Sequence, residues 1–176
     1  MESRRLLLRE MLETDWPQVH AYASQEKVCQ FQPWGPNSRQ DTKEYIQEVL
    51  ADAAQEPRER YVFAIIHKET SRLIGAVELS IKSFHNSEGE IGYIVHPDHW
   101  GKGVAAEASR LVLSFGFEKL KLHRICATCS PDNVSSSRVL EKLGMKREGR
   151  IRQHLRLKEG WRDSLLYSML ESEWRG

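Results

Sequence analysis

The sequence predicts an α/β fold of mixed α+β order: a single twisted, mixed β-sheet of about six to seven strands with helices on both faces. Three observations predict it. Short runs rich in Val, Ile, Tyr and Phe recur between turn residues, as strands do. Longer segments between them space apolar residues three and four apart, as amphipathic helices do. The order is several strands, a helix, a strand, a helix and two final strands, which suits one sheet covered by helices. At 176 residues the chain reads as a single domain, 1–176, able to bury about two-thirds of its unfolded surface.

Each element has a local reason. Residues 4–9 form a first strand. Thr14-Asp15 caps a helix whose first turn accepts Pro17, where a missing N–H costs nothing. Residues 27–37 hold Pro33, Gly35 and Pro36 and read as a loop, and a second helix covers 39–54, ending before Pro57. Strands follow at 61–67, 73–81 and 90–95, with turns at Ser71 and 84–89. A helix then places Val104, Ala108, Leu111, Val112 and Phe115 on one buried stripe. Residues 123–128 are a strand and 133–143 a helix stopped by Gly144. Strands near 145–152 and 164–170 close the order.

Composition excludes several classes. With 26 Lys and Arg against 25 Asp and Glu, the chain lacks the basic excess of a nucleic-acid binder. The apolar run Leu6–Leu8 after Arg4 and Arg5 is too short for a signal sequence. No run approaches a membrane span, so the expectation is a cytoplasmic protein with no nucleic-acid or membrane partner. Cys126 and Cys129 have the C-x-x-C spacing, yet they lie in a strand, where residues three apart face opposite ways. No second pair completes a zinc site, so they read as core, and no metal is expected. His96 and His99, without a completing carboxylate or Cys, read as turn residues.

The most informative stretch is Glu90–Ala108, EIGYIVHPDHWGKGVAAEA. A strand enters a turn, and Gly101 and Gly103 open a helix whose first N–H groups have no partner within it. Glycines remove the side chains that would hold an anion away. The prediction is a main-chain cradle for a pyrophosphate, formed by Gly101, Lys102, Gly103, Val104, Ala105 and Ala106, with Lys102 adding charge. The same residues fit G-x-G-x-x-A, but His96 to Trp100 separate them from the strand, and the chain is too short for a second dinucleotide-binding half. A P-loop is excluded because no G-K-[ST] occurs.

The stretch resembles motif A of the GNAT N-acetyltransferase superfamily, in the branch of the ribosomal-protein N-terminal acetyltransferases (Rim-type). WGKG followed by A-x-E-A carries the likeness, with Trp100 where many members have Gln or Arg. Leu73-Ile74-Gly75, NVSSSRVLEKLGM from Asn133, Glu148-Gly149 and Gly160-Trp161-Arg162-Asp163 extend it in the same order. The resemblance implies that acetyl-CoA is the co-substrate. It implies that pantetheine lies along 92–95, contacting main chain of Ile94 and Val95, where a β-bulge splays the strand from its neighbour. It implies that Asn133 bonds the pantetheine, that Ser136 stands near the sulfur, and that the 27–54 insertion covers the acceptor, with Phe31 and Trp34 as substrate contacts. A homodimer is an expectation of the resemblance alone.

The implied reaction is direct transfer of acetyl to a primary amine. An α-amine, with a pKa of about 7.7–8.0, is substantially neutral at cellular pH, whereas a Lys amine at about 10.4 is not, so a modest base suffices for an α-amine. Glu90 is the leading base and Glu78 the second. Family members often carry Tyr where Leu140 stands; Leu donates no proton, so Ser136 is the candidate to assist thiolate departure. Glu107 reads as support for the helix start. The acceptor expected first is a protein or peptide N-terminus. A small amine (polyamine, amino acid or antibiotic) stays open because the charges of residues 26–44 are balanced, and a non-catalytic CoA-binding sensor or interaction protein stays open as a separate class.

Overall fold

The computed structural model describes residues 1–176 and contains one seven-stranded sheet. Its strands are β1 (Leu6–Glu10), β2 (Arg60–His67), β3 (Arg72–Ser83), β4 (Glu88–Val95), β5 (Arg124–Cys129), β6 (Lys146–Leu157) and β7 (Gly160–Leu170). The spatial order is β1-β2-β3-β4-β5-β7-β6. Neighbours run antiparallel except β4 and β5, which are parallel. The helices are α1 (Trp16–Ala23), α2 (Glu26–Cys29), α3 (Arg39–Ala53), α4 (Val104–Ser114) and α5 (Val134–Lys142). No helix is long and apolar enough to cross a membrane.

The sheet separates two cores. One joins its central strands to α4 and α5 through Leu79, Val112, Ile125 and Leu140. The other packs α1, α2 and α3 on the opposite face through Val19, Tyr22, Ile46 and Val62. Strand alternation makes this possible, since successive side chains point to opposite faces. Ile91, Tyr93 and Val95 of β4 join the first core, and Ile94 packs on the second.

Local contacts set the helix starts, and one expected cap differs. Ser38 and Asp41 form a reciprocal capping box at α3: Asp41 N–H donates to Ser38 Oγ at 3.1 Å, and Ser38 N–H to Asp41 Oδ2 at 2.8 Å. Asn133 caps α5 by accepting the Ser136 N–H at 3.1 Å, and Gly144 follows that helix with φ +87°. Asp15 precedes α1 but caps no helical N–H. Its buried carboxylate instead accepts Arg9 Nη1 at 2.6 Å, Arg9 Nη2 at 2.8 Å and the Leu12 N–H at 2.8 Å.

Four differences from the expected elements have physical causes. One turn of helix, α2, interrupts the 27–37 loop because Val28 and Cys29 are buried against the α1–α3 core. The α4 stripe includes Leu113, while Leu111 is half-buried, and after Ser114 the chain widens into a π turn over Phe115–Lys119. The last hairpin is longer than predicted. Its β6 is largely solvent-facing and rich in Arg, and register shifts at Arg147/Gly149 and Ile151/Leu155 break its alternation. Finally, β4 pairs with β3 in unbroken register from Gly89 to Val95; the irregularity lies earlier, at Ile81/Ser83 of β3. The expected bulge at 92–95 is absent, and the strands part by simple divergence.

Candidate active site

The divergence creates the site. β4 pairs with β3 along its whole length but meets β5 only at Glu88, Gly89 and Glu90. Beyond the Glu90–Cys126 pair the two parallel strands separate, leaving a fork in the middle of the sheet. Which main-chain groups face the fork follows from the ladder. His96 N–H donates to Ile74 O at 2.7 Å, so positions 96 and 74 form a hydrogen-bonded pair. Pairs alternate along an antiparallel ladder, so Ala76–Ile94 is bonded and the N–H and C=O of Ile94 belong to β3. The groups of Tyr93 and Val95 point the other way, into the fork. The main chain of Ile94, expected to contact the pantetheine, is thus engaged with β3, and the groups open to the fork are those of Tyr93 and Val95. Trp100 occupies part of this edge, its Nε1 donating to Val95 O at 2.7 Å.

The cradle lies where β4 ends. Gly101 and Gly103 have φ of +71° and +76°, and Gly103 is the N-cap of α4. A Cβ on Gly101 would meet no atom within 4 Å, and one on Gly103 only Arg5 Nη2 at 3.7 Å. The glycines are thus required by their left-handed backbone, and the space on their Cβ sides is open at the start of α4. Arg5, which local sequence did not mark, braces this turn from β1. Its Nη1 donates to Lys102 O at 3.1 Å, its Nε donates to Glu107 Oε2 at 2.8 Å and Nη2 pairs with the same carboxylate, which also accepts Ser3 Oγ at 2.6 Å. Burial pushes the Glu107 carboxyl up, but Arg5 and Ser3 outweigh it and hold it below the ordinary range. Glu107 is a brace, as its position in the helix predicted.

Two catalytic candidates stand on opposite sides of the fork. Glu90 is the last residue of β4 paired with β5 and faces the α1–α3 side. Its carboxylate accepts Thr128 Oγ1 at 3.2 Å and pairs with Lys82 Nζ at 3.1 Å. Glu78 is bound by Arg60 at 2.9 and 3.2 Å. Ser136, in the first turn of α5, faces from the other side, and the Tyr93 phenol lies 2.8 Å from its Oγ and 3.2 Å from its carbonyl oxygen. Burial holds the Tyr93 phenol well above the ordinary range, with Ser136 offsetting part of that. Leu140 is buried in the adjoining wall.

The fork opens into a cleft of about 1060 Å³ that Phe31 and Trp34 both line. Their loop is pinned from the β6–β7 hairpin: Arg162 Nη1 donates to Phe31 O at 2.6 Å and Lys158 Nζ to Gly35 O at 2.9 Å. Arg162 pairs with no carboxylate, its buried Nε has no partner, and burial lowers its pKa. The Gly160-Trp161-Arg162-Asp163 block marked this place without revealing its role. Cys126 and Cys129 are buried and free, with burial raising the Cys126 thiol to about 11. The His67, His96 and His99 rings gather beside the cradle, and no group of three His, Cys, Asp or Glu side chains is arranged to hold a metal.

Comparison with known proteins matches this geometry. The family model for the acetyltransferase (GNAT) domain matches residues 5–146. The N-acetyltransferase YnaD of Bacillus subtilis is 36% identical over 172 residues, covering 98% of this chain and 97% of that protein. The [ribosomal protein uS5]-alanine N-acetyltransferase of Escherichia coli is 27% identical over 117 residues, covering 65% of this chain and 59% of that protein. Among solved structures, an acetyltransferase (GNAT family) from Bacillus anthracis superposes with a TM-score of 0.86 at 34% identity, covering 98% of this chain and 99% of that one. A spermidine N-acetyltransferase from Vibrio cholerae, in complex with CoA and spermine, shares the fold at a TM-score of 0.82 and 23% identity, over 97% and 98% of the two chains. The split between β4 and β5, the glycine turn behind it and these likenesses agree: the chain belongs to the GNAT family and is an acetyl-CoA-dependent N-acetyltransferase.

Proposed function

We propose that the acceptor is the α-amine of a protein or peptide N-terminus. The observation that carries this reading is the two-sided charge of the cleft. Asp41, Glu44 and Glu48 line it from α3, and none of the three forms an ion pair; Lys158 and Arg162 line it from the hairpin, also without carboxylate partners. A peptide terminus carries one ammonium followed by carbonyl oxygens, and it can set the first against the acidic wall and the second against the cationic wall. A polyamine would place further cations against Lys158 and Arg162. The relation to the uS5-alanine enzyme points the same way.

In this reading acetyl-CoA lies in the fork, its pyrophosphate on the N–H groups of residues 101–106 with Lys102 beside them, and Asn133 bonds the pantetheine. Phe31 and Trp34 contact the acceptor. Glu90 receives the amine proton directly or through water, on the face where the acceptor enters. The N–H groups of Tyr93 and Val95, aimed into the fork, stabilise the oxyanion as nitrogen adds to the carbonyl. The C–S bond then breaks and its electron pair leaves on sulfur, which Ser136 faces from the other side.

The test is thiol release from acetyl-CoA with free peptides, the same peptides N-terminally blocked, polyamines and an aminoglycoside. Turnover of free but not blocked peptides is expected, and Glu90→Gln is expected to lower kcat by about 10²-fold or more. Turnover restricted to polyamines would overturn the acceptor reading, and unchanged activity in Glu90→Gln would remove Glu90 as the base.

A further inference from the structure

We propose that Tyr93 is a positioning residue for the thiol half of the reaction: its phenol fixes the Ser136 hydroxyl so that Ser136 aims its own proton into the cleft, at the departing sulfur. The inference rests on the reading above that Ser136 faces that sulfur.

A phenol has a single O–H and a serine hydroxyl has one proton and two lone pairs. The Tyr93 oxygen has two partners, Ser136 Oγ at 2.8 Å and Ser136 O at 3.2 Å. The first is an ordinary O–H···O length and the second lies beyond the usual range. We place the Tyr93 proton on the shorter contact, Oγ; with it on Ser136 O instead, and Ser136 Oγ–H donated to the phenol, no proton would face the cleft and the CoA preference measured below would stay flat. Ser136 Oγ, already an acceptor there, has no other hydrogen-bond partner in the protein, so its own proton is free to turn into the cleft that both side chains line. Without the phenol no side chain holds the orientation of this hydroxyl.

Burial keeps the phenol protonated, which makes it a permanent donor and a poor source of protons. The titratable groups that bear on it most are Cys129 of β5 and Tyr167 of β7, and both raise its pKa further. No net proton passes through Tyr93. C–N forms, C–S breaks, the amine proton leaves through Glu90, and the thiolate accepts a hydrogen bond from Ser136 until it takes a proton from solvent. Hydrogen bonds to a charged partner are about twice as strong as neutral ones, so the arrangement favours thiolate over thioester sulfur.

The test needs no acceptor. Affinities for CoA and for desulfo-CoA, which lacks the sulfur, are measured by titration calorimetry from pH 7 to pH 10 in wild type, Tyr93→Phe, Ser136→Ala and the double variant, with thermal midpoints as a folding check. In wild type the preference for CoA over desulfo-CoA is expected to rise about tenfold across that range, as the bound thiol ionises before the free one. Tyr93→Phe is expected to shrink the rise to about twofold, Ser136→Ala to remove it, and the double variant to match Ser136→Ala. A full rise in Tyr93→Phe, a flat preference in wild type, or a further loss in the double variant would overturn the proposal. Each of these leaves the peptide panel unaffected, and failure of that panel leaves this titration unaffected.

Discussion

Replacing the cradle glycines separates a backbone requirement from a ligand requirement. Gly101 and Gly103 sit at φ +71° and +76°, where an L side chain costs about 1–2 kcal/mol. Sterically the sites are open, since a Cβ meets nothing within 4 Å at Gly101 and only Arg5 Nη2 at Gly103. Gly101→Ala and Gly103→Ala should therefore each destabilise the fold by about 1–2 kcal/mol, a fall of about 2–8 °C in Tm for a chain of this size. CoA affinity should fall further. A methyl group above the open N–H groups keeps the pyrophosphate from one or two charge-assisted bonds, worth about 1.5–3 kcal/mol, or about 10- to 150-fold in Kd. Gly101→Asn should recover part of the stability, because Asn tolerates the left-handed region, yet bind CoA as poorly as Gly101→Ala. Gly149→Ala is the control: its Cβ also meets nothing, its φ is not positive, and its effect should stay within about 0.5 kcal/mol. Calorimetry with CoA and thermal denaturation read the two quantities separately. If Gly101→Ala and Gly103→Ala bind CoA within twofold of wild type, the cradle reading is wrong.

Two further outcomes follow from contacts outside the cleft. Burial pushes the Asp15 carboxyl up, but the Arg9 pair and the Leu12 N–H outweigh it and hold it below the ordinary range. A lowered pKa gives stability that is present above the ordinary carboxyl value and lost as pH falls through the folded one. Asp15→Asn should cost about 2–3 kcal/mol at pH 7, allowing for the partial exposure of Arg9, and urea denaturation should show the gap to wild type closing as acid is added. A gap unchanged at pH 3 would refute the assignment. Arg5→Ala, which frees Lys102 O and Glu107, should weaken CoA binding about three- to tenfold, and Arg5→Lys should restore only part of it because a lysine lacks the two-pronged fork. CoA affinity unchanged in Arg5→Ala would show that the brace does not shape the cradle.

Features set by short-range physics were legible from residue order alone. Asn133 and Gly144 bound a helix through contacts only a few residues long, and Gly101-Lys102-Gly103 announces its turn because left-handed backbone requires glycine. The alternating and apolar runs placed the central strands, and Cys126 and Cys129 read correctly as core. The tertiary structure decided the rest because the partners are distant in sequence. Arg5 reaches Lys102 and Glu107 across about a hundred residues, and Tyr93 meets Ser136 only because β4 and α5 converge on one side of the sheet. The sorting of charges is the clearest case. Residues 26–44 balance on paper, but the turn of α3 sends Asp41 and Glu44 into the cleft, while Arg39 and Lys43 do not line it. Divergence of β4 from β5 is likewise a property of the twisted sheet, and it leaves the main-chain groups of Tyr93 and Val95, rather than those of Ile94, open to the fork.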